Sequence, residues 1–416
     1  MTLPSLIGHR PTGNPHVTGP QRPLAQEWHE SGPWSLFLRA AELDDWIASN
    51  EEAIHVGSLF HRSRRSKAPE TQHPAIPQRV SREPKPPDVS KLKAESNIRE
   101  LLKALEYEMD KDIRGDAAMA LGDLGCQEAV EALVTRLRDD DEDYVKRAAA
   151  RALRTLSWAP TNHGQAAAWY WRFAGDLEKC AACGQEALAP LLPAVLEGTY
   201  DADDAYVSIG EPAFEVLTVA TTALYKQWEA IISNTAGLDF RSVDDRQRAA
   251  IIEAVTDRLG HAVYAVGKFR SPMSETFLAE LYDIVRQNIY SHRESGFLDM
   301  YRAVAVRTKI ISAFRGTTKA RRGEPIPIGA DGVKVVIDAL RNDEAAAVRW
   351  EAADDVQYMA KVSPTTVRSS NVKEALAKLV SDMKDPNHPD AQNLGGISGE
   401  SRLSRYVELL ADIEAA

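Results

Sequence analysis

The sequence predicts an all-α protein: an α-solenoid of stacked helical hairpins preceded by a proline-rich arm. Three observations predict it. Apolar residues recur with helical period through most of residues 94–416. A helix, an acidic turn and a second helix form a pattern that returns after 32 residues and once more late in the chain. Twelve of the 22 prolines crowd into residues 1–93, where they block regular helix and strand.

Length and charge narrow the field. At about 100–200 residues per domain, 416 residues make two to four domains or one long array. The chain is 44% hydrophobic and 27% charged, with a mean hydropathy of −0.34. A net charge of −11 argues against a general nucleic-acid binder, because phosphate neutralisation needs basic surface. Three cysteines, Cys126, Cys180 and Cys183, are too few for a disulfide framework and fit a reducing compartment. The opening MTLPSLIGHRPTGNP has no basic region leading into an apolar run, so it does not read as a secretory signal. The apolar stretch at 187–196 is well short of the roughly 20 residues of a membrane span. A cytoplasmic location, no membrane contact and no cofactor are expected.

The arm comes first. Pro4, Pro11, Pro15, Pro20 and Pro23 break up residues 1–30. One short helix is expected at about 33–58, capped by Ser31, with Pro33 tolerated in its first turn. Trp34, Phe37, Leu38, Ala41 and Trp46 follow at near-helical spacing. Two tryptophans on so short a helix need a surface, either the main domain or another protein. Residues 61–93 hold nine Lys/Arg against three Asp/Glu, with six prolines, and read as an extended basic linker. Subtracting both stretches leaves residues 94–416 strongly acidic.

Within 94–416 the repetition is detailed. A shift of 32 places Ile113 on Val145, Arg114 on Lys146, and Ala117-Ala118 on Ala149-Ala150. It also places Leu121 on Leu153 and Leu124 on Leu156. A shift of 203 then carries Val145 to Val348, Lys146 to Arg349, and Ala149-Ala150 to Ala352-Ala353. The segment LRDDDED at 137–143 falls on LRNDEAA at 340–346. Acidic residues in the turn are placed to cap the second helix and to suit its dipole. Paired alanines on that helix allow close approach. One such hairpin cannot bury both faces alone, so its neighbours must stack.

These residues resemble HEAT repeats, specifically the short bacterial subtype named after phycobilisome lyases. The resemblance is carried by Asp112, Arg114, Ala117, Ala118, Leu121, Gly122, Leu124 and Gly125 in the first unit. It continues through Asp141, Val145, Lys146, Ala149, Ala150 and Leu153, and in the late unit through Asp343, Val348, Arg349, Ala352 and Ala353. It implies a right-handed solenoid of about five to seven degenerate units. Residues 208–217 and 262–285 look like parts of further units.

Three insertions interrupt the pattern, at 157–176, 315–332 and 385–401, and the last precedes a capping helix. The first carries Trp169 and Trp171, which two residues apart cannot share one helix face. The second carries Arg315, Lys319, Arg321 and Arg322. With Trp350, these are the candidate partner-binding residues.

Catalytic signals are sparse. Cys180 and Cys183 form a lone CxxC, which could bind zinc with Cys126 and His163, but buried small residues are the simpler reading. The pair His29-Glu30 stands alone in the arm. No phosphate-cradling or hydrolase-elbow motif occurs. The expected function is a non-catalytic scaffold that binds a protein on its concave surface. The alternatives are nucleic-acid binding through 61–67 and 315–322, or lyase-like action on a chromophore or protein.

Overall fold

The chain divides into two units, Met1–Gln72 and His73–Ala416. The computed structural model describes residues 86–233, 243–291, 297–315, 327–368, 370–392 and 397–415, all in the second unit. The helix expected at 33–58 and the basic segment 61–67 lie outside the described residues.

The described residues form an α-solenoid with no strand among them. It begins with α1 (Val89–Ala94), α2 (Ile98–Leu105), α3 (Lys111–Asp123), α4 (Val130–Asp139) and α5 (Asp143–Thr155). Helix α1 straddles the boundary expected at residue 93 and packs on α2 and α3 through Val89 and Leu92. Asp88 caps it, accepting from the Lys91 amide at 3.0 Å. Helices α2/α3 and α4/α5 are antiparallel hairpins, and α3 lies against α5. Leu101, Leu105, Leu121, Leu133, Leu137 and Leu153 fill the space between them.

The middle is less regular. Four short helices follow: α6 (Gln165–Ala174), α7 (Leu177–Ala181), α8 (Leu188–Leu196) and α9 (Ala202–Val207). Thus half of the insertion read at 157–176 is helical. Two long helices come next, α10 (Glu211–Ser233) and α11 (Val243–Lys268). The turn before α10, ending at Gly210 (φ +88°), lies within 208–217, where a new unit was expected. Residues 262–285 instead form the junction of α11 with α12 (Pro272–Ser291).

Regular hairpins then resume. Helix α12 pairs with α13 (Phe297–Phe314), and α14 (Ala330–Asn342) with α15 (Ala346–Val362). The array ends with α16 (Pro364–Val367), α17 (Ser370–Lys384), α18 (Pro389–Gln392) and α19 (Ile397–Ala415). The final helix starts within the insertion read at 385–401, and it packs on α17. First helices stack on first helices (α12, α14, α17) and second helices on second helices (α11, α13, α15).

Small residues let the second helices approach. A Cβ on Gly122 would sit 2.7 Å from the Ala152 Cα. One on Gly267 would sit 2.2 Å from the Ala313 carbonyl oxygen. Neither backbone can yield without moving a helix.

Buried ion pairs tie several turns to the next. Arg114 of α3 forks onto Asp140, with Nε–Oδ2 at 2.9 Å and Nη2–Oδ1 at 3.0 Å. Its remaining nitrogen donates to the Tyr107 and Glu108 carbonyls of its own turn. Asp140 also accepts from the Glu142 amide at 3.1 Å, closing the turn before α5. Late in the chain Arg307 donates to Asp343 at 3.0 Å, and the Tyr282 hydroxyl donates to the same oxygen at 2.7 Å. Asp343 accepts from the Ala345 amide with its other oxygen, while its carbonyl accepts from Arg349. Arg349 then forks onto Asp390. Asp110 caps α3 by accepting from the Asp112 amide at 2.8 Å.

The first two second helices end alike. Leu121 O accepts from the Cys126 amide and Leu153 O from the Trp158 amide, each across a residue in the left-handed region. That residue is Gly125 (φ +67°) in one unit and Ser157 (φ +59°) in the other.

Two predictions follow from this geometry. Ser157→Gly removes a side-chain penalty at a left-handed position and should raise stability by about 1 kcal/mol in chemical denaturation. Arg114→Leu strands the buried Asp140 carboxylate and should cost about 3–5 kcal/mol. In the same assay Lys93→Ala, which removes an exposed pair to Asp123, should cost less than about 1 kcal/mol.

Candidate functional site

Of the residues expected to meet a partner, Trp169, Trp171, Trp350 and Arg315 make contacts within the chain. Trp169, on α6, is 7% exposed. Its ring stacks on Phe173 at 5.7 Å and carries the Lys146 ammonium 4.1 Å from its centroid. Burial pushes the Lys146 pKa down, only partly offset by nearby aspartates. Trp171 is half-buried, edge-on to Tyr170 at 5.0 Å, with the Lys179 ammonium 4.4 Å from its ring. Trp350 is half-buried on α15 under Arg402 of α19, 5.1 Å away. The Tyr406 hydroxyl, also from α19, donates to the Trp350 carbonyl at 2.9 Å.

Arg315, at the end of α13, is spent on two acids of α15. It pairs with Glu351, and its Nε stands 2.7 Å from Asp355. Asp355 is wholly buried, and that burial holds its carboxyl well above the ordinary range against the pull of Arg315. Lys319, Arg321 and Arg322 lie outside the described residues.

Cys180 and Cys183 sit in and just after α7, both buried. Their thiols donate to the carbonyls of Ala168 (3.2 Å) and Lys179 (3.5 Å). Burial pushes Cys180 up to about 12 and raises Cys183 as well. Both are therefore protonated at neutral pH, the state that does not attack disulfides.

One group of three potential metal-ligand residues stands out among the described residues: Asp382, His388 and Asp390. Asp390 already accepts the Arg349 fork, so a cation there would face a guanidinium. The group reads as the end of the ion-pair series.

The structure brings together a different set, which the sequence reading passed over. Helix α5 carries Arg147, Arg151 and Arg154 on one exposed face. Together with Ala150 of α5 and Phe173 and Ala174 of α6 they line a cleft of about 230 Å³. The Arg147 guanidinium lies 5.6 Å from the Phe173 ring. Among the described residues no carboxylate lies within ion-pair distance of these three arginines. The recurrence at i, i+4 and i+7 was visible in the sequence, but such a row reads first as a solvated helix face.

A third prediction concerns the thiols. Iodoacetamide at pH 8 should leave Cys180 and Cys183 unmodified while the folded chain persists, and should alkylate both in denaturant. Mass spectrometry of the labelled peptides reads the outcome, and rapid labelling of the folded protein would contradict the burial described.

No curated protein matches the chain. A crystal structure of an engineered protein from the Northeast Structural Genomics Consortium is similar at 17% identity and a TM-score of 0.31. The match covers 78% of this chain and 70% of that one. No described helix is long and apolar enough to cross a membrane. Residues 91–163, which contain the hairpins α2/α3 and α4/α5, the Arg114–Asp140 pair and the Gly122–Ala152 contact, match the HEAT repeats family.

Proposed function

We propose that the chain is a non-catalytic protein-interaction scaffold. The observation that carries this reading is how the buried polar groups are used. Arg114, Asp140, Arg307, Asp343, Arg349 and Asp390 serve to hold hairpin on hairpin. Meanwhile α5 presents an exposed face whose charges are unused. A stack fixed from within and charged without suits docking better than bond-making. HEAT repeats are generally interaction scaffolds, and the match over 91–163 supports the same reading. The likeness to the phycobilisome-lyase subtype rests on repeat residues and transfers no chemistry. The nucleic-acid reading loses Arg315, which is already paired to Glu351 and Asp355.

The test uses the full-length chain as bait in cells that produce it, followed by reconstitution with the purified candidate. The expected result is a protein complex of fixed stoichiometry in calorimetry. Failure of every captured protein to form one would overturn the scaffold reading. Steeply salt-dependent affinity for duplex DNA would move the function to nucleic acid.

A further inference from the structure

We infer that the cleft between α5 and α6 is a binding site for a short acidic peptide segment of a partner protein, with Arg147, Arg151 and Arg154 as the carboxylate receptors. The inference rests on the scaffold reading and specifies which surface is used and what chemistry it takes.

Three features argue for an anionic ligand. The arginines share one face of α5 and line a real concavity, not a flat surface. None is engaged by a carboxylate among the described residues, although the chain as a whole carries a net charge of −11. Arginine is also the side chain whose planar fork best matches a carboxylate. Elsewhere in this array arginines find acids readily, as Arg114, Arg286 and Arg341 do. Single arginines such as Arg99 and Arg368 also lack an acid among the described residues; what sets these three apart is that they share one face and one cleft.

Spacing selects a peptide. Along a helix, residues four and three apart rise about 6 Å and about 4.5 Å. Alternate residues of an extended peptide are about 6.6 Å apart on one face. Acidic side chains at every second position can thus meet successive arginines. Phe173 and the small residues Ala150 and Ala174 complete the cleft, leaving room for an apolar group between the charges.

Charge around the cleft selects a short segment over a polyanion. The row spans only about 10 Å of helix. Just beyond it stands the exposed Asp143, the first residue of α5 and one helical turn from Arg147, with Asp141 in the turn before it. A nucleic-acid strand running on in that direction would meet like charge within a few ångströms, whereas a peptide's acidic stretch can end where the arginines end.

The test is fluorescence anisotropy on the full-length protein. The probe is a labelled extended peptide with glutamate at three alternate positions. Its glutamine counterpart, inorganic phosphate as competitor, and a single-stranded oligo-dT serve as contrasting arms. The Glu peptide should bind saturably, and the Gln peptide about tenfold more weakly or not at all. Arg151→Gln/Arg154→Gln should weaken the Glu peptide about tenfold or more with an unchanged thermal melt, since both side chains face solvent. Arg151→Lys/Arg154→Lys, which keeps charge but loses the fork, should fall between.

Absence of saturable Glu-peptide binding would overturn the inference, as would equal binding by the Gln double variant. Tighter binding of oligo-dT that the variant abolishes would reassign the cleft to nucleic acid. Phosphate displacing the peptide at equal concentration would reassign it to a phosphate group. A cellular partner held equally by the wild type and the Gln double variant would leave the scaffold reading standing and remove the cleft from it.

Discussion

The structure depends on the buried arginine–aspartate pairs that join successive turns. At Asp140 and Asp343 the aspartate closes the turn of its own hairpin by accepting a backbone amide two residues on, and also receives a guanidinium from the hairpin before it. Two of the arginines also hold carbonyls of their own turn, Arg114 at Tyr107 and Glu108 and Arg349 at Asp343. Local turn geometry and stacking between units are thereby one network. Apolar contacts between alanine-rich helices are permissive about rotation and slide. A buried fork is not, because a displaced guanidinium leaves both partners desolvated and unpaired. The pairs therefore fix the register that packing alone would leave loose.

The composition follows from the same design. Close approach of the second helices needs glycine or alanine at the crossing points, as Gly122 against Ala152 and Gly267 against Ala313 show. A chain built from such crossings has little room for rings, which accounts for aromatic residues at only 7%. One cluster of rings, Trp158, Trp169, Tyr170, Trp171 and Phe173, gathers around α6.

Much of this was legible in the sequence, and what was not has definite causes. Aligning 137–143 with 340–346 already put Asp140 on Asp343, and the same offset put Lys146 on Arg349. The helices, their alanine faces and the acidic turns followed from local pattern. The pairing did not, because each arginine's partner lies 26 to 41 residues ahead in the next unit. Nothing in one repeat shows that its arginine leaves it. The tryptophans were singled out for their size, yet Lys146, Lys179 and Arg402 cover their faces, and a lysine twenty-three residues from Trp169 gives no local sign of its destination. The cleft was missed for the opposite reason. Its arginines looked ordinary, and only the fold shows that no acid comes to them.

The break in the series lies beside the cleft. At the position matching Arg114 and Arg349, the second unit has Lys146. A lysine cannot fork, and its ammonium goes to the face of Trp169. Cation–ring attraction of this kind holds α6 onto α5 without a buried carboxylate. Trp169 stacks on Phe173 one helical turn later, and Phe173 in turn meets Arg147, the neighbour of Lys146. The aromatic ladder that stands in for the missing ion pair thus supplies the wall of the arginine cleft. Arg151 and Arg154 continue the exposed face of α5 that begins at Arg147, so the positive surface of an acidic chain opens beside that ladder.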